Sequence, residues 1–152
     1  MRLVRVLCWS MIAALPLIAA DHDPFLGKWK LDWANSHSPD PAPKSAIRIY
    51  TKSGAGVKVS EDWIGADGNH TRLEYTANYD GRDYPVPTRK GATVAFQRTG
   101  PFRVEGVSKA DGKVEYTFKR TVSQDGRTLT IETSRIGPGG KPATEVLVYR
   151  KM

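Results

Sequence analysis

Short runs of alternating apolar and polar residues recur along the chain, separated by turns that contain glycine, aspartate or proline. The turns are Ser53-Gly54-Ala55-Gly56, Ala66-Asp67-Gly68-Asn69, Tyr79-Asp80-Gly81-Arg82, Ala110-Asp111-Gly112-Lys113 and Gln124-Asp125-Gly126-Arg127. Glycine, aspartate and asparagine tolerate the positive φ angles that tight hairpins require. Since no long segment carries the apolar period of a helix, the pattern predicts an all-β chain joined by hairpins.

Strand spacing predicts the architecture. The strands are expected near residues 25–33, 45–52, 56–64, 70–79, 92–99, 102–109, 113–123, 127–136 and 143–151. Consecutive hairpins give an antiparallel up-and-down meander, and an open meander would expose two unpaired edges. We therefore expect a barrel of about 8–10 strands, a size that can enclose one small ligand. A two-sheet sandwich is the alternative, although it usually needs longer Greek-key connections.

Two segments break the alternation. Residues 35–44 contain three prolines and are predicted to be an extended coil after the first strand, because proline lacks the N–H of a central strand. Residues 83–91 contain two prolines and form the second irregular stretch. Loops of this kind lie at barrel mouths, where binding residues concentrate.

Residues two apart in a strand share a face, so the alternation also predicts which side chains point inward. The inward aromatic side chains are Tyr75, Phe96, Phe102, Tyr116 and Phe118. Arg98 and Arg120 are in phase with this apolar set, and a buried arginine needs a partner. Each is interpreted either as an anchor for a ligand anion or as a strand-end residue that reaches solvent. Tyr79 and Tyr84 are interpreted either as an aromatic lip over a ligand or as parts of a structural turn.

Residues 1–20 have the three parts of a cleavable signal peptide. Arg2 and Arg5 form a positive start, and an apolar run follows that is too short to span a bilayer. Cleavage is expected after Ala19 or Ala20, two small residues that precede a polar segment.

After cleavage, residues 21–152 are expected to form one β-barrel domain without a transmembrane segment, secreted or periplasmic. Cys8 is the only cysteine of the chain, so the mature protein cannot form disulfides, which suits a bacterial periplasm. Loss of two arginines leaves 21 basic against 16 acidic residues, a net charge of +5. The basic residues are scattered, which argues against a nucleic-acid partner and allows at most weak contact with an anionic envelope surface.

Catalytic and metal-binding patterns have little support, and no cofactor is expected. The mature chain lacks cysteine, a G-x-S-x-G motif and a glycine-rich phosphate loop. His70 could form an acid–base pair with Glu74 or Asp62, but it follows a turn and is expected to be exposed. The histidines have no ligand spacing. Cleavage after Ala19 would place His22 third from the amino end, an arrangement that chelates copper(II) or nickel(II).

The segment Phe25-Leu26-Gly27-Lys28-Trp29-Lys30-Leu31 resembles the opening of the calycin superfamily, which includes lipocalins and intracellular fatty-acid-binding proteins. The resemblance implies that Gly27 and Trp29 close the base of the barrel. It extends to residues 125–132 and 146–151, which are similar to the last two strands of a fatty-acid-binding protein.

The chain departs from those families at two places. The proline-rich segment stands where fatty-acid-binding proteins have a helix pair, and Leu147 and Tyr149 stand where they have the R-x-Y that binds a carboxylate. A closer resemblance is to small exported bacterial proteins called lipocalin-like, which share F-x-G-x-W-K-L, a serine that here is Ser36, and the stretch Tyr79–Val86. Membership of that group implies no activity.

These observations favour an exported, non-enzymatic barrel that binds a small, mostly apolar molecule. The first alternative is a packed, envelope-associated interaction or structural barrel without a ligand, because the same aromatic side chains could fill the interior. The second is an enzyme of cyclase or isomerase type on the same barrel. The volume of the interior separates the first two hypotheses.

Overall fold

The computed structural model describes residues 22–152, so the predicted signal peptide lies outside the described residues. Ten antiparallel strands make up a single sheet. They are β1 (Gly27–Leu31), β2 (Ser45–Ser53), β3 (Gly56–Ile64), β4 (His70–Ala77), β5 (Tyr84–Pro85), β6 (Ala92–Gly100), β7 (Arg103–Ala110), β8 (Lys113–Val122), β9 (Thr128–Ile136) and β10 (Pro142–Lys151). Short 3-10 helices at Trp33–Asn35 and Pro138–Gly140 are the other regular elements in this part of the chain.

The strand order is that of an up-and-down meander in which the first and last strands, β1 and β10, pair with each other. It runs β4-β3-β2-β1-β10-β9-β8-β7-β6-β5, so β1 joins the two halves of the sheet by pairing with both β2 and β10. A seam remains between β4 and β5, where the Glu74 amide donates a hydrogen bond of 3.1 Å to the Thr88 hydroxyl. The predicted all-β, nearly closed barrel is therefore confirmed.

The hairpin turns have the predicted backbone. Each of the five predicted turns contains one glycine with a positive φ, namely Gly54, Gly68, Gly81, Gly112 and Gly126. β5 is the strand that the alternation did not predict, because a pair containing proline has no period of its own. Pro85 fits there because β5 is an edge strand, and an edge position does not need every N–H.

The proline-rich segment leaves β1 as predicted and stays next to β10. His37 pairs with Val146 through two backbone hydrogen bonds of 2.7 Å. The Ser36 hydroxyl accepts from the Val148 amide at 2.9 Å and donates to the Asp32 carbonyl at 2.8 Å. This segment, residues 36–44, is called the strap below.

Large side chains fill the interior of the barrel around the start of β1. Trp29 and Phe25 are buried, and the Trp29 indole N–H donates to the Phe25 carbonyl at 2.8 Å. Gly27 has a φ of +126°, and a Cβ there would lie 2.9 Å from Cε of Lys151. A larger residue at position 27 would therefore be strained and crowded.

The expected inward position of Phe102 is wrong. Val114, which has the same alternation as Tyr116 and Phe118 on β8, also points outward, and both residues lie beside strand irregularities. Phe102 is 37% exposed, because β6 continues to Gly100 through a register shift and residues 101–102 form the turn. Val114 is 59% exposed, next to a register shift between β7 and β8. A one-residue irregularity is enough to reverse the face that a side chain occupies.

Candidate functional site

The barrel contains a cavity of about 620 Å³ that its own side chains do not fill. It opens between the strap, the β3–β4 turn and the start of β10, where Pro39–Pro41, Gly65–Asp67 and Ala143–Glu145 form the rim. We call this opening the mouth. Its size lies within the usual range for sites that hold a small organic molecule.

Apolar side chains from four strands, β3, β8, β9 and β10, form the walls of the cavity. They are Trp63, Tyr116, Phe118, Ile131 and Leu147. Phe118 packs edge-on against Phe96 with ring centroids 6.2 Å apart, so a second aromatic layer supports the wall. Such a surface fits the apolar body of a ligand.

Facing the cavity, Arg48 and Glu61 form a buried ion pair. Arg48 donates two hydrogen bonds to the Glu61 carboxylate, Nε to Oε1 at 3.1 Å and Nη2 to Oε2 at 2.6 Å. The Tyr149 hydroxyl donates to Oε1 of the same carboxylate at 2.8 Å, and Arg48 also donates to the Tyr50 hydroxyl at 3.2 Å. The pair is thus held by partners on β2, β3 and β10.

Arg120 is the second buried guanidinium, and it lacks a carboxylate partner among the described residues. It is 5% exposed, lines the cavity and donates one hydrogen bond of 2.8 Å to the Tyr75 hydroxyl. Its Nε has no hydrogen-bond partner within residues 22–152. The guanidinium carbon lies 4.1 Å from the centroid of the Phe118 ring, which offers partial compensation for the charge.

The pKa values of Glu61 and Tyr149 are shifted away from neutral pH in opposite directions. Burial alone would raise the pKa of Glu61, but the charge and hydrogen bonds of Arg48 lower it below its usual value. Burial, reinforced by the Glu61 charge, raises the pKa of Tyr149 well above its usual value. General acids and bases work best with a pKa near the working pH. Glu61 is therefore suited to staying ionised and Tyr149 to staying protonated, rather than to exchanging protons.

The nine predicted ligand residues divide between the two ends of the barrel. Tyr116, Phe118 and Arg120 line the cavity, and Tyr75 and Phe96 lie directly behind Arg120. Phe102 is exposed in its turn and does not line the cavity. Tyr84 is partly exposed and donates to Asp80 at 2.7 Å.

Arg98 and Tyr79 belong to a different cluster, at the end opposite the mouth. The Arg98 side chain is 31% exposed, pairs with Asp23 at 3.0 Å and lies over the Tyr79 ring at 4.3 Å. The Tyr79 hydroxyl donates to Asp23 at 2.6 Å, which fastens the residues before β1 to the barrel. Arg98 therefore has a structural role rather than that of a ligand anchor in the cavity. Tyr79 likewise belongs to the structural interpretation and not to an aromatic lip over the cavity.

Arg48, Glu61 and Trp63 also line the cavity, and none of them was predicted from the sequence. Glu61 and Trp63 continue the inward phase of Val57 and Val59 on β3, so the rule that singled out Arg120 could have found them. Arg48 gave a misleading signal. It alternates with two isoleucines that look like the apolar face, whereas the buried positions of β2 are Ala46, Arg48 and Tyr50.

The described part of the chain shows neither a cluster of metal ligands nor a pairing of His70 with Glu74. Within residues 22–152, acidic, histidine and cysteine side chains form no group of three that could hold a metal. Glu74, the proposed partner of His70, pairs with Lys58 at 2.8 Å instead. The chelating arrangement at His22 depends on Ala20 and Asp21, which lie outside the described residues. Over the described range, no helix is long and apolar enough to cross a membrane.

The barrel is similar to the solved structures of two other proteins. Wild-type fluorescent protein UnaG superposes with a TM-score of 0.54 and 19% identity over 84% of this chain and 97% of its own. A point variant of UnaG gives a TM-score of 0.57 at 20% identity, over 85% and 96%. Zebrafish ileal bile acid-binding protein in complex with cholic acid gives 0.56 at 13% identity, over 85% and 99%. The fold is calycin-like.

The likeness concerns architecture alone. No protein-family model and no curated protein sequence matches the chain. At these identities the calycin fold explains the closed meander and its interior space, while the chemistry must come from this chain's own cavity.

Proposed function

We propose that this protein is an exported binding protein for a small amphipathic molecule, whose apolar body occupies the cavity and whose acidic group faces Arg120. The observation that carries the proposal is the buried guanidinium of Arg120, which lines the cavity with Nε unpartnered within the described residues. A buried charge without a counter-ion is costly, and a ligand carboxylate would supply the missing charge and acceptor.

The shape of the cavity supports the same proposal. Its volume of about 620 Å³ favours a ligand-binding barrel over a barrel packed by its own side chains. The cluster around Arg48 and Glu61 does not support the enzyme alternative. The pKa of Glu61 is lowered and that of Tyr149 is raised, whereas general acids and bases work best with a pKa near the working pH. Zebrafish ileal bile acid-binding protein, a barrel of the same fold, was solved with cholic acid, which is consistent with an amphipathic acid as the class of ligand.

Isothermal titration calorimetry with dodecanoate tests this function, since that probe combines an apolar chain with one carboxylate. The Arg120→Met variant keeps the bulk of the side chain but removes its charge. A hydrogen bond to a charged group contributes about 1.5–3 kcal/mol, so affinity should fall about 10- to 150-fold. The matched control is Arg103→Met, which changes an exposed arginine on β7 and should leave affinity unchanged.

Two results would contradict the binding proposal. One is the absence of heat from dodecanoate with the unmodified protein at any accessible concentration. The other is equal affinity in Arg120→Met and in the unmodified protein. Dodecan-1-ol serves as the neutral comparison, and it should bind more weakly than dodecanoate.

Export is tested separately, by expressing the full chain in a Gram-negative bacterium and sequencing the amino terminus of the periplasmic protein. Export with cleavage predicts a chain that begins at Ala20 or Asp21. A chain that retains Met1 in the cytoplasm would contradict it.

A further inference from the structure

The buried ion pair occupies one of the two guanidinium groups of the cavity. Arg48 donates hydrogen bonds from Nε and Nη2 to Glu61, and the side chains of Arg48 and Glu61 are only 9% and 12% exposed. The Tyr149 hydroxyl is committed to the same carboxylate. A carboxylate belonging to the protein therefore already fills the position that an acidic ligand group could take at Arg48.

The interior of the cavity consequently has a net charge of +1. Two positive groups, Arg48 and Arg120, face a single negative group, Glu61. The other charged lining residues lie at the mouth, where Asp40 pairs with Arg135 at 3.3 Å and Glu145 accepts from the Ser38 hydroxyl at 2.5 Å. They are more exposed than the buried cluster and are screened by water.

Arg48 and Arg120 belong to one connected cluster. The Arg120 guanidinium carbon lies 5.9 Å from the centroid of the Tyr50 ring, and the hydroxyl of that ring accepts from Arg48. A ligand group bound at Arg120 is thus close enough to Glu61 for their charges to interact strongly in a dry interior.

We propose that Glu61 is a specificity-determining residue that restricts the ligand to a single negative charge. This inference rests on the proposed function and names the class of ligand more narrowly. One acidic group at Arg120 neutralises the interior, whereas a second would be unpaired beside the Glu61 carboxylate. The selected class is therefore the monoanionic amphiphiles, and dianionic head groups are rejected by like-charge repulsion.

Glu61→Gln removes the charge with little change of shape. The amide oxygen can still accept from Arg48 Nε and Tyr149, which share Oε1 in the structure. The amide nitrogen takes the place of Oε2, the acceptor for Arg48 Nη2, so that donor loses its partner. The variant should therefore offer a second anion site next to Arg120, with an interior charge of +2.

Decylmalonate and dodecanoate are suitable probes, because they share the same alkyl chain and differ by one carboxylate. Calorimetric titrations near pH 8 should give the unmodified protein a preference for dodecanoate of about tenfold or more. In Glu61→Gln the ratio should shift toward decylmalonate by about tenfold or more. The control Glu132→Gln changes an outward carboxylate that pairs with Lys119 at 2.8 Å, and it should keep the original ratio.

The outcomes distinguish this inference from the function on which it rests. If dodecanoate binds and Arg120→Met weakens it, but Glu61→Gln leaves the ratio unchanged, the charge restriction is wrong and the binding function stands. If neither probe binds the unmodified protein, the binding function fails. The preference of the unmodified protein is itself a test that needs no variant, and equal affinity for both probes would overturn the inference even if Glu61→Gln did not fold.

Discussion

Arg48→Met is the substitution whose effect on stability follows most directly from the structure. It removes both guanidinium bonds to Glu61, at 3.1 and 2.6 Å, and leaves the buried carboxylate with only the Tyr149 hydroxyl. Breaking a buried pair by removing one partner costs about 3–5 kcal/mol of unfolding free energy. We expect a loss of that size near neutral pH.

The pH dependence of that loss gives a sharper test. In the unmodified protein the pKa of Glu61 is lowered, so its contribution is present above the unfolded pKa of about 4.3 and is lost as the pH falls through the folded pKa. In Arg48→Met, burial without the arginine should raise the pKa, so that ionised Glu61 becomes destabilising as the pH rises. The difference between the two proteins should therefore grow between about pH 4 and pH 7.

Urea unfolding followed by tryptophan fluorescence measures this difference, since Trp29 is buried in the core and Trp63 lines the cavity. The control is Arg48→Met combined with Glu61→Leu, which removes the pair as a whole. It should lose less stability than the single variant, because apolar replacement of a buried pair is often nearly neutral. An equal loss of stability at pH 4 and pH 7, or a loss below about 1 kcal/mol near neutral pH, would show that the ion pair does not stabilise the barrel in this way.

Two further predictions concern the packing of the barrel and the cluster of Asp23, Tyr79 and Arg98 at the end opposite the mouth. In Gly106→Ala the new Cβ would lie 2.3 Å from the Ala95 carbonyl oxygen and 2.7 Å from Cζ of Phe118. Thermal unfolding should therefore show a loss of about 1–3 kcal/mol, and calorimetry should show weaker dodecanoate binding as Phe118 is displaced; unchanged values for both would contradict the packing described. Asp23→Ala removes the acceptor for Tyr79 and the carboxylate partner of Arg98, so stability should fall by about 1–3 kcal/mol. Dodecanoate affinity should stay the same, and a loss of binding would show that the two ends of the barrel are coupled.

The fold could be predicted from local signals because hairpin turns are encoded by a few residues each. The turn glycines and the alternation between them gave nine strands and their order, and the proline content of the strap excluded a strand there. β5 escaped because a two-residue edge strand leaves no period to detect. Its pairing with β6 depends on where the chain returns after β4, which is a property of the whole barrel.

The site was predictable only where the alternation was regular. Arg120 follows Tyr116 and Phe118 in phase and lies in the cavity, and the same phase on β3 leads to Glu61. Phe102 was misplaced because a strand irregularity, invisible in the alternation, precedes it. The residues that form and hold the ion pair come from three strands, so the pair depends on strand register that no single segment encodes.

Carbon-13 NMR of carboxyl-labelled dodecanoate tests the central claim, that the cavity holds the acidic group of an amphiphile against Arg120. We expect a separate bound resonance whose titration gives a carboxyl pKa below that of the free acid, because a nearby guanidinium stabilises the charged form. In Arg120→Met, any bound resonance should titrate at a higher pH than in the unmodified protein. A single free resonance throughout, or a bound carboxyl with the same pKa in both proteins, would contradict the claim.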